Sequence, residues 1–175
     1  MKVFISHALT DQEILKRIKE TLEPHGLQLN IAEHYEDIER NITGKIENLI
    51  IQSDIALILL TQNGFNSHFV QQEIGYIKSL KKPFIQVVQS GLEKEIKGFN
   101  YGYDYFELDP NQPNIALEKV KRRILNYWKK KRTEEAEIEQ QKQIMRIKNE
   151  NDEIKTKLVV GGLVTLLILG IVNSD

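Results

Sequence analysis

Residues 55–60 read IALILL, a run that is apolar at every position. A strand covered on one face alternates apolar and polar residues, whereas an unbroken apolar run of this length is typical of a strand buried on both faces. Strands of this kind occur mainly in parallel sheets that carry helices on either side. The run therefore predicts an α/β domain built on a parallel sheet.

The sequence on both sides of this run alternates between strand-like and helix-like patterns. Further short apolar runs occur at 3–5, 27–31, 84–88 and 103–108, and amphipathic stretches lie at 11–22, 41–52, 67–81 and 92–97. Such alternation predicts a five-stranded parallel sheet flanked by helices, of the flavodoxin-like kind, with right-handed crossovers. Thr10 or Asp11 is placed to cap the first of these helices.

From residue 113 onward the pattern is helical, and its character changes after the basic run at 129–132. Residues 133–157 are strongly charged and contain neither glycine nor proline. Heptad positions a and d are occupied alternately by Ile144, Ile147, Asn151, Ile154 and Leu158. The stretch is either a self-associating coiled coil or a solvated helical spacer. The sequence thus divides into a domain at 1–128, a charged helical linker at 129–157 and an apolar tail at 158–172.

The apolar tail reads LVVGGLVTLLILGIV. As a helix, fifteen residues extend about 22 Å, which is short of the hydrocarbon core of about 30 Å in a typical bilayer. A run this apolar needs cover, which predicts a C-terminal single-pass membrane anchor. Lys155 and Lys157 precede it and would keep the α/β domain on the cytoplasmic side. The alternative is a helix buried inside an oligomer.

Composition narrows the classes of function. The 24 basic and 25 acidic residues leave a formal net charge of −1, which gives no signature of nucleic-acid binding. The absence of cysteine excludes disulfides, zinc–thiolate sites and thiol catalysis. The four histidines show no metal-binding spacing, and no glycine-rich phosphate-binding motif follows the first strand. We therefore expect no metal and no bound dinucleotide cofactor.

One acidic residue stands in an unexpected place. In the predicted helix at 67–81, Glu73 lies on the apolar arc that also carries Phe69, Ile77 and Leu80. A carboxylate there loses hydration unless a cation or hydrogen-bond donors compensate. Glu73 is either a structural residue in an ion pair or an acid that acts on a ligand in a cleft.

Five segments together resemble the successive motifs of a Toll/interleukin receptor (TIR) domain, most closely those of the prokaryotic branch. They are FISH (4–7), AEHYEDIERNITGKI (32–46), SDIALILLT (53–61), SHFVQQE (67–73) and KKPFIQVV (81–88), in order across residues 1–125. The resemblance implies TIR–TIR assembly and cleavage of NAD, which would be a substrate and not a cofactor. It also implies that Glu73, six residues after a serine, is the catalytic residue. Contacts with the substrate are implied for Phe4, Ser6, His7, Tyr35 in the 33–43 loop, Ser67 and Phe69.

Two features depart from the family pattern. Phe69 stands where catalytic relatives often carry tryptophan, and the 33–43 loop lacks the usual proline–glycine pair. Three hypotheses follow. The first is an NAD glycohydrolase or ADP-ribosyl cyclase of prokaryotic signalling or anti-phage defence, anchored to a membrane and activated by homo-oligomerisation through its TIR faces and C-terminal helix. The second is a non-catalytic TIR adaptor, and the third is an enzyme like the nucleoside deoxyribosyltransferases.

Overall fold

The computed structural model describes residues 1–31 and 42–172, with side chains for 1–31, 44–98 and 100–150. Its centre is a five-stranded sheet in the order β2-β1-β3-β4-β5, with parallel pairing throughout. The strands are β1 (Lys2–Ser6), β2 (Gln28–Ile31), β3 (Ile55–Leu60), β4 (Phe84–Gln89) and β5 (Tyr105–Leu108). This sheet, with its flanking helices, confirms the predicted fold class.

The apolar run IALILL forms the middle strand, β3. Every residue in it is buried, and it pairs with β1 on one side and β4 on the other. Since helices cover both faces of the sheet, neither face of β3 tolerates a polar side chain without a partner. The unbroken apolar run is thus the direct result of its position.

Helices and short helical turns connect the strands. The α-helices are α1 (Gln12–Leu22), α2 (Ile42–Gln52), α3 (Gln62–Asn66), α4 (His68–Ser79) and α5 (Pro113–Val172). The 3-10 turns are Glu23–His25, Glu93–Glu95 and Gly98–Asn100. The amphipathic stretch predicted at 92–97 therefore forms a single 3-10 turn, and α3 was not predicted.

The core between the sheet and the pair α2 and α4 determines where the candidate site lies. Phe4, Ala56, Ile58, Leu60 and Val88 project from the sheet into this core. From the helices come Ile46, Ile50, Val70, Ile74 and Ile77. Full burial of one large aliphatic side chain contributes about 1.5–3 kcal/mol to folding. This packing places α4 next to the carboxyl end of β1, where Ser6 contacts Glu73 of α4.

The chain divides into two compact units, Met1–Asn126 and Tyr127–Asp175. Helix α5 begins in the first unit, where Val120 and Ile124 are fully buried. In the second unit Ile144, Met145 and Ile147 are exposed. The division of the sequence at residues 128 and 157 stays a prediction.

The predicted membrane anchor at 158–172 is wrong. Within the part of the chain that the structure describes, no helix is both long enough and apolar enough to cross a bilayer. The physical reason is length, since about 22 Å of apolar helix falls short of a core of about 30 Å. The cytoplasmic side was predicted for the α/β domain from Lys155 and Lys157. That prediction depended on the anchor and has no basis without it.

Candidate active site

Helix α4 buries a glutamate on the face that packs against the sheet. Ser67 caps the helix, because its Oγ accepts a hydrogen bond of 3.3 Å from the backbone N–H of Val70. Glu73 is only 3% exposed, between the fully buried Val70 and Ile77. The predicted place of Glu73 on the apolar arc is therefore observed. The arc is narrower than predicted, since Phe69 is 48% exposed and Leu80 is also exposed.

A serine from the first strand holds this carboxylate. Ser6, at the carboxyl end of β1, is completely buried, and its Oγ donates a hydrogen bond of 2.5 Å to Oε2 of Glu73. A hydroxyl that donates to a carboxylate oxygen satisfies part of the hydrogen-bonding capacity of that carboxylate. The contact joins residues that are 67 positions apart in the chain. The fold thus supplies Glu73 with a donor that compensates in part for its lost hydration.

Glu73 lines a cavity of about 490 Å³ between α2 and α4. This volume is within the range of about 300–1,000 Å³ that small-molecule sites occupy. The described residues that line it are Ile46, Glu47, Ile50, Phe69, Gln72, Glu73, Gly75, Tyr76 and Ser79. Most of the wall is apolar, with polar groups from Glu47 on α2 and from Gln72, Glu73 and Ser79 on α4, which is the composition expected of a ligand site.

The structure brings only part of the predicted residue set together. Glu73 and Phe69 line the cavity, and Ser6 contacts Glu73 directly. Phe4 is fully buried in the core and is not among the described residues that line the cavity, and its expected contact with a substrate stays a prediction. Ser67 uses its hydroxyl as the cap of α4 and does not belong to the described lining. Tyr35 lies outside the described residues.

His7 is buried at the end of β1, but it is not among the described residues that line the cavity. Its Nδ1 lies 2.8 Å from the carbonyl oxygen of Ala8, which can only accept a hydrogen bond. In a neutral ring this contact requires the proton on Nδ1, which would make Nε2 an acceptor. Nε2 has no hydrogen-bond partner among the side chains that the structure describes. The predicted contact of His7 with a substrate stays a prediction.

Sequence reasoning missed several lining residues. On α4 these are Gln72, Tyr76 and Ser79, which follow Phe69 at helical spacings of three or four and so share one face with it. That spacing was a usable signal. The α2 residues Ile46 and Glu47 gave none, because only the packing of α2 against α4 brings them into the same cavity.

A second, smaller cavity of about 220 Å³ lies at the carboxyl end of the sheet and includes Asp11. Asp11 occupies the N-cap position of α1, one of the two predicted, but its side chain makes no capping hydrogen bond. Its carboxylate instead accepts hydrogen bonds from Oγ of Thr61 (2.7 Å) and Nδ2 of Asn63 (2.9 Å). Asp11 therefore ties the loop after β1 to the loop after β3.

A third cavity, of about 440 Å³, combines lysines with aromatic rings. Nζ of Lys78 lies 3.8 Å from the centre of the Tyr103 ring and 5.1 Å from that of Phe84. Partial burial lowers the pKa of Lys78 below its ordinary value of 10.5, because the charged form loses hydration. The rings act in the opposite direction, since their faces attract the ammonium.

Comparisons with known proteins agree on the fold. A family model described as the TIR domain matches residues 3–122. The TIR domain of a Toll-related receptor from Hydra magnipapillata is 16% identical, with a TM-score of 0.56 over 70% of this chain and 96% of that one. The RPS4 and RRS1 TIR domain heterodimer is 13% identical, with a TM-score of 0.54 over 72% and 97%.

A prokaryotic SEFIR domain is also similar, at 12% identity and a TM-score of 0.53, over 69% of this chain and 96% of that one. No curated protein matches the chain. At these identities the solved structures are evidence for the fold alone.

Proposed function

The chain belongs to the TIR domain family, and from this premise we propose that it cleaves the bond between nicotinamide and ribose in NAD. The observation that carries the proposal is the buried carboxylate of Glu73, which lines a cavity of ligand size and accepts a hydrogen bond from Ser6. In the catalytic TIR domains that the sequence resembles, the essential glutamate occupies the corresponding place. Glu73 is the proposed catalytic residue.

Cleavage of the bond between nicotinamide and ribose requires one negative charge close to the ribose. As the bond from C1′ to the pyridinium nitrogen breaks, its electron pair stays on the nitrogen, so nicotinamide leaves as a neutral molecule and needs no general acid. Positive charge builds on the ribose, and a carboxylate beneath it stabilises that charge. Water then adds to C1′ and releases a proton, which gives ADP-ribose. Capture of C1′ by the adenine would give a cyclic product instead.

Burial is what makes Glu73 suited to this task. Two unit charges 4 Å apart interact by about 1 kcal/mol in bulk water, but by about 4 kcal/mol in the effective dielectric near a protein surface. Ser6 fixes one oxygen of the carboxylate, so little reorganisation is needed when the ribose becomes cationic. An exposed glutamate on the same helix would have neither advantage.

Self-association is the proposed means of activation. The exposed Ile144 and Ile147 on α5 fit the heptad positions of a coiled coil, and TIR domains associate with one another in the RPS4 and RRS1 heterodimer. We further propose that clustered chains deplete NAD or produce a nucleotide signal in prokaryotic defence, a role that rests on the resemblance of the sequence.

Glu73→Gln tests the enzymatic proposal, because it removes the charge and keeps the shape. The full chain is incubated with NAD, and nicotinamide release is followed by chromatography. We expect release by the wild-type protein and a loss of about 10²-fold to 10³-fold in the variant, the scale of losing one electrostatic stabiliser of a transition state.

Glu107→Gln, at an exposed position on β5, is the matched control and should cleave NAD at the wild-type rate. Wild-type protein that assembles but releases no nicotinamide would contradict the proposal and favour the adaptor. Base exchange on free deoxynucleosides, without a preference for NAD, would favour the deoxyribosyltransferase reaction.

A further inference from the structure

The charged residues that the structure describes in the lining of the cavity between α2 and α4 have the same sign. Among the described residues that line it, Glu73 comes from α4 and Glu47 from α2, and none of these residues is a lysine or arginine. Phe69 and Tyr76 stand seven residues apart on the same face of α4, so two aromatic rings share this wall. The described wall of the cavity is therefore both acidic and aromatic.

This combination favours planar cations. Carboxylates within low-dielectric walls concentrate positively charged ligands, and aromatic faces attract cations in addition to stacking on flat rings. A neutral nucleobase would gain the stacking but not the charge attraction. The leaving group of NAD before cleavage is a pyridinium cation, whereas those of ordinary nucleosides are neutral.

We propose that Glu47 determines specificity by selecting substrates whose leaving group is a pyridinium cation. The inference rests on the proposed function and names the substrate class of the same site: N-ribosylated pyridinium compounds, in preference to neutral N-ribosides. Glu47 lines the cavity from a half-buried position of α2, whereas Glu73 lines it from α4. Solvent therefore partly screens the charge of Glu47. We expect this charge to affect the binding of the substrate.

The two carboxylates have different effects on the reaction. When the bond breaks, the pyridinium loses its positive charge and the ribose gains one. In a transition state reached before the bond is fully broken, the ring still carries part of its charge, so a carboxylate that attracts it stabilises both the bound substrate and the transition state. Its removal therefore raises KM and changes kcat only slightly. Removal of Glu73 acts on kcat. This difference separates selection from catalysis.

The test uses Glu47→Gln in the full chain with two small probes, the cation 1-methylnicotinamide and neutral nicotinamide. Calorimetry should show 1-methylnicotinamide bound about threefold to fivefold more weakly by the variant, the effect of losing a partly solvated charge pair. Nicotinamide binding should not change. KM for NAD should rise by a similar factor, with kcat within about twofold of wild type.

Two further variants serve as controls. Glu47→Asp keeps the charge and should retain the preference for the cation. Glu20→Gln makes the same charge change at an exposed position on α1 and should alter neither probe. Equal weakening of both probes by Glu47→Gln, or a fall in kcat with unchanged KM, would overturn the proposal.

Probe binding does not depend on bond cleavage, so the two proposals can fail separately. A wild-type chain that prefers 1-methylnicotinamide through Glu47 but does not cleave NAD would overturn the enzymatic proposal alone. A chain that cleaves NAD but binds both probes equally would overturn the selection by Glu47 alone.

Discussion

At the scale of single residues, the hydrogen bond from Ser6 compensates in part for the hydration that the buried carboxylate of Glu73 has lost. Both residues are almost inaccessible to solvent, and the hydroxyl donates to Oε2 at 2.5 Å. A buried acceptor that loses its donor bears the full loss of hydration, whereas removal of both partners can be nearly neutral. Loss of the Ser6 hydroxyl alone should therefore destabilise the protein more than its loss together with the charge of Glu73.

Ser6→Ala should lower the free energy of unfolding by about 1–3 kcal/mol, because Glu73 would lose a buried hydrogen bond. In a Glu73→Gln background the same substitution should have a clearly smaller effect, since the charge has already gone. Urea denaturation of the four proteins, followed by circular dichroism, measures both values.

Ser79→Ala is the control for this cycle. Among the described residues, the exposed hydroxyl of Ser79 donates to the carbonyl of Tyr76, so its loss should change the free energy of unfolding by less than about 0.5 kcal/mol. If the effects of Ser6→Ala and Glu73→Gln add without coupling, the contact does not stabilise the protein.

The outcome for Phe4 and Ser6 shows what a strand pattern can and cannot predict. The two residues are two positions apart and so face the same side of β1. Alternation along the strand indicates the face, but not the level at which a helix crosses it. Phe4 lies beneath the core between α2 and α4, and Ser6 reaches Glu73. Only the packed structure shows that Phe4 lies beneath the helices and that Ser6 contacts Glu73.

At the scale of elements, apolar strand runs and long amphipathic patterns predicted the structure, whereas short helical stretches did not. The strands were recognised because their apolar runs differ from the amphipathic helices between them. Helix α3, with five residues, is too short to display a helical period. The side chain of Asp11 does not cap α1, because its carboxylate accepts hydrogen bonds from Thr61 and Asn63 instead. Local rules fail where a distant segment offers a better partner.

Gly64→Ala tests why α3 needs a glycine. A Cβ at this position would collide with the carbonyl oxygen of Leu59, a backbone atom that cannot move aside easily. We expect a loss of about 1–3 kcal/mol in the free energy of unfolding, the usual effect of overpacking. Chemical denaturation of the full chain gives this value.

Gly75→Ala on α4 is the matched control. Nothing lies within 4 Å of a Cβ there, so the better helix propensity of alanine should stabilise the protein by about 0.5–1 kcal/mol. Similar effects from both substitutions would contradict the assigned clash at Gly64.

At the scale of the whole molecule, the exposed apolar residues of α5 provide the proposed contact between copies of the chain. Ile147→Lys should shift sedimentation equilibrium toward the monomer, because a charge at a heptad core position disrupts coiled-coil packing. It should also remove any rise in NAD cleavage per molecule as the protein concentration increases.

Met145→Lys is a suitable control, since Met145 is similarly exposed but lies off the seam that contains Ile144 and Ile147. It should associate like the wild type. If both variants associate unchanged, α5 is a solvated spacer, the alternative that the sequence left open.

The order of the strands has a consequence for the time course of biosynthesis. Each connection between neighbouring parallel strands must close a long loop of chain, and such non-local topologies fold more slowly than those built on hairpins. The partners Ser6 and Glu73 stand 67 residues apart, so a nascent chain that has emerged only through β2 contains half of the site and none of its proposed chemistry. Under the proposed function, the nascent chain would therefore cleave no NAD until the whole domain had folded.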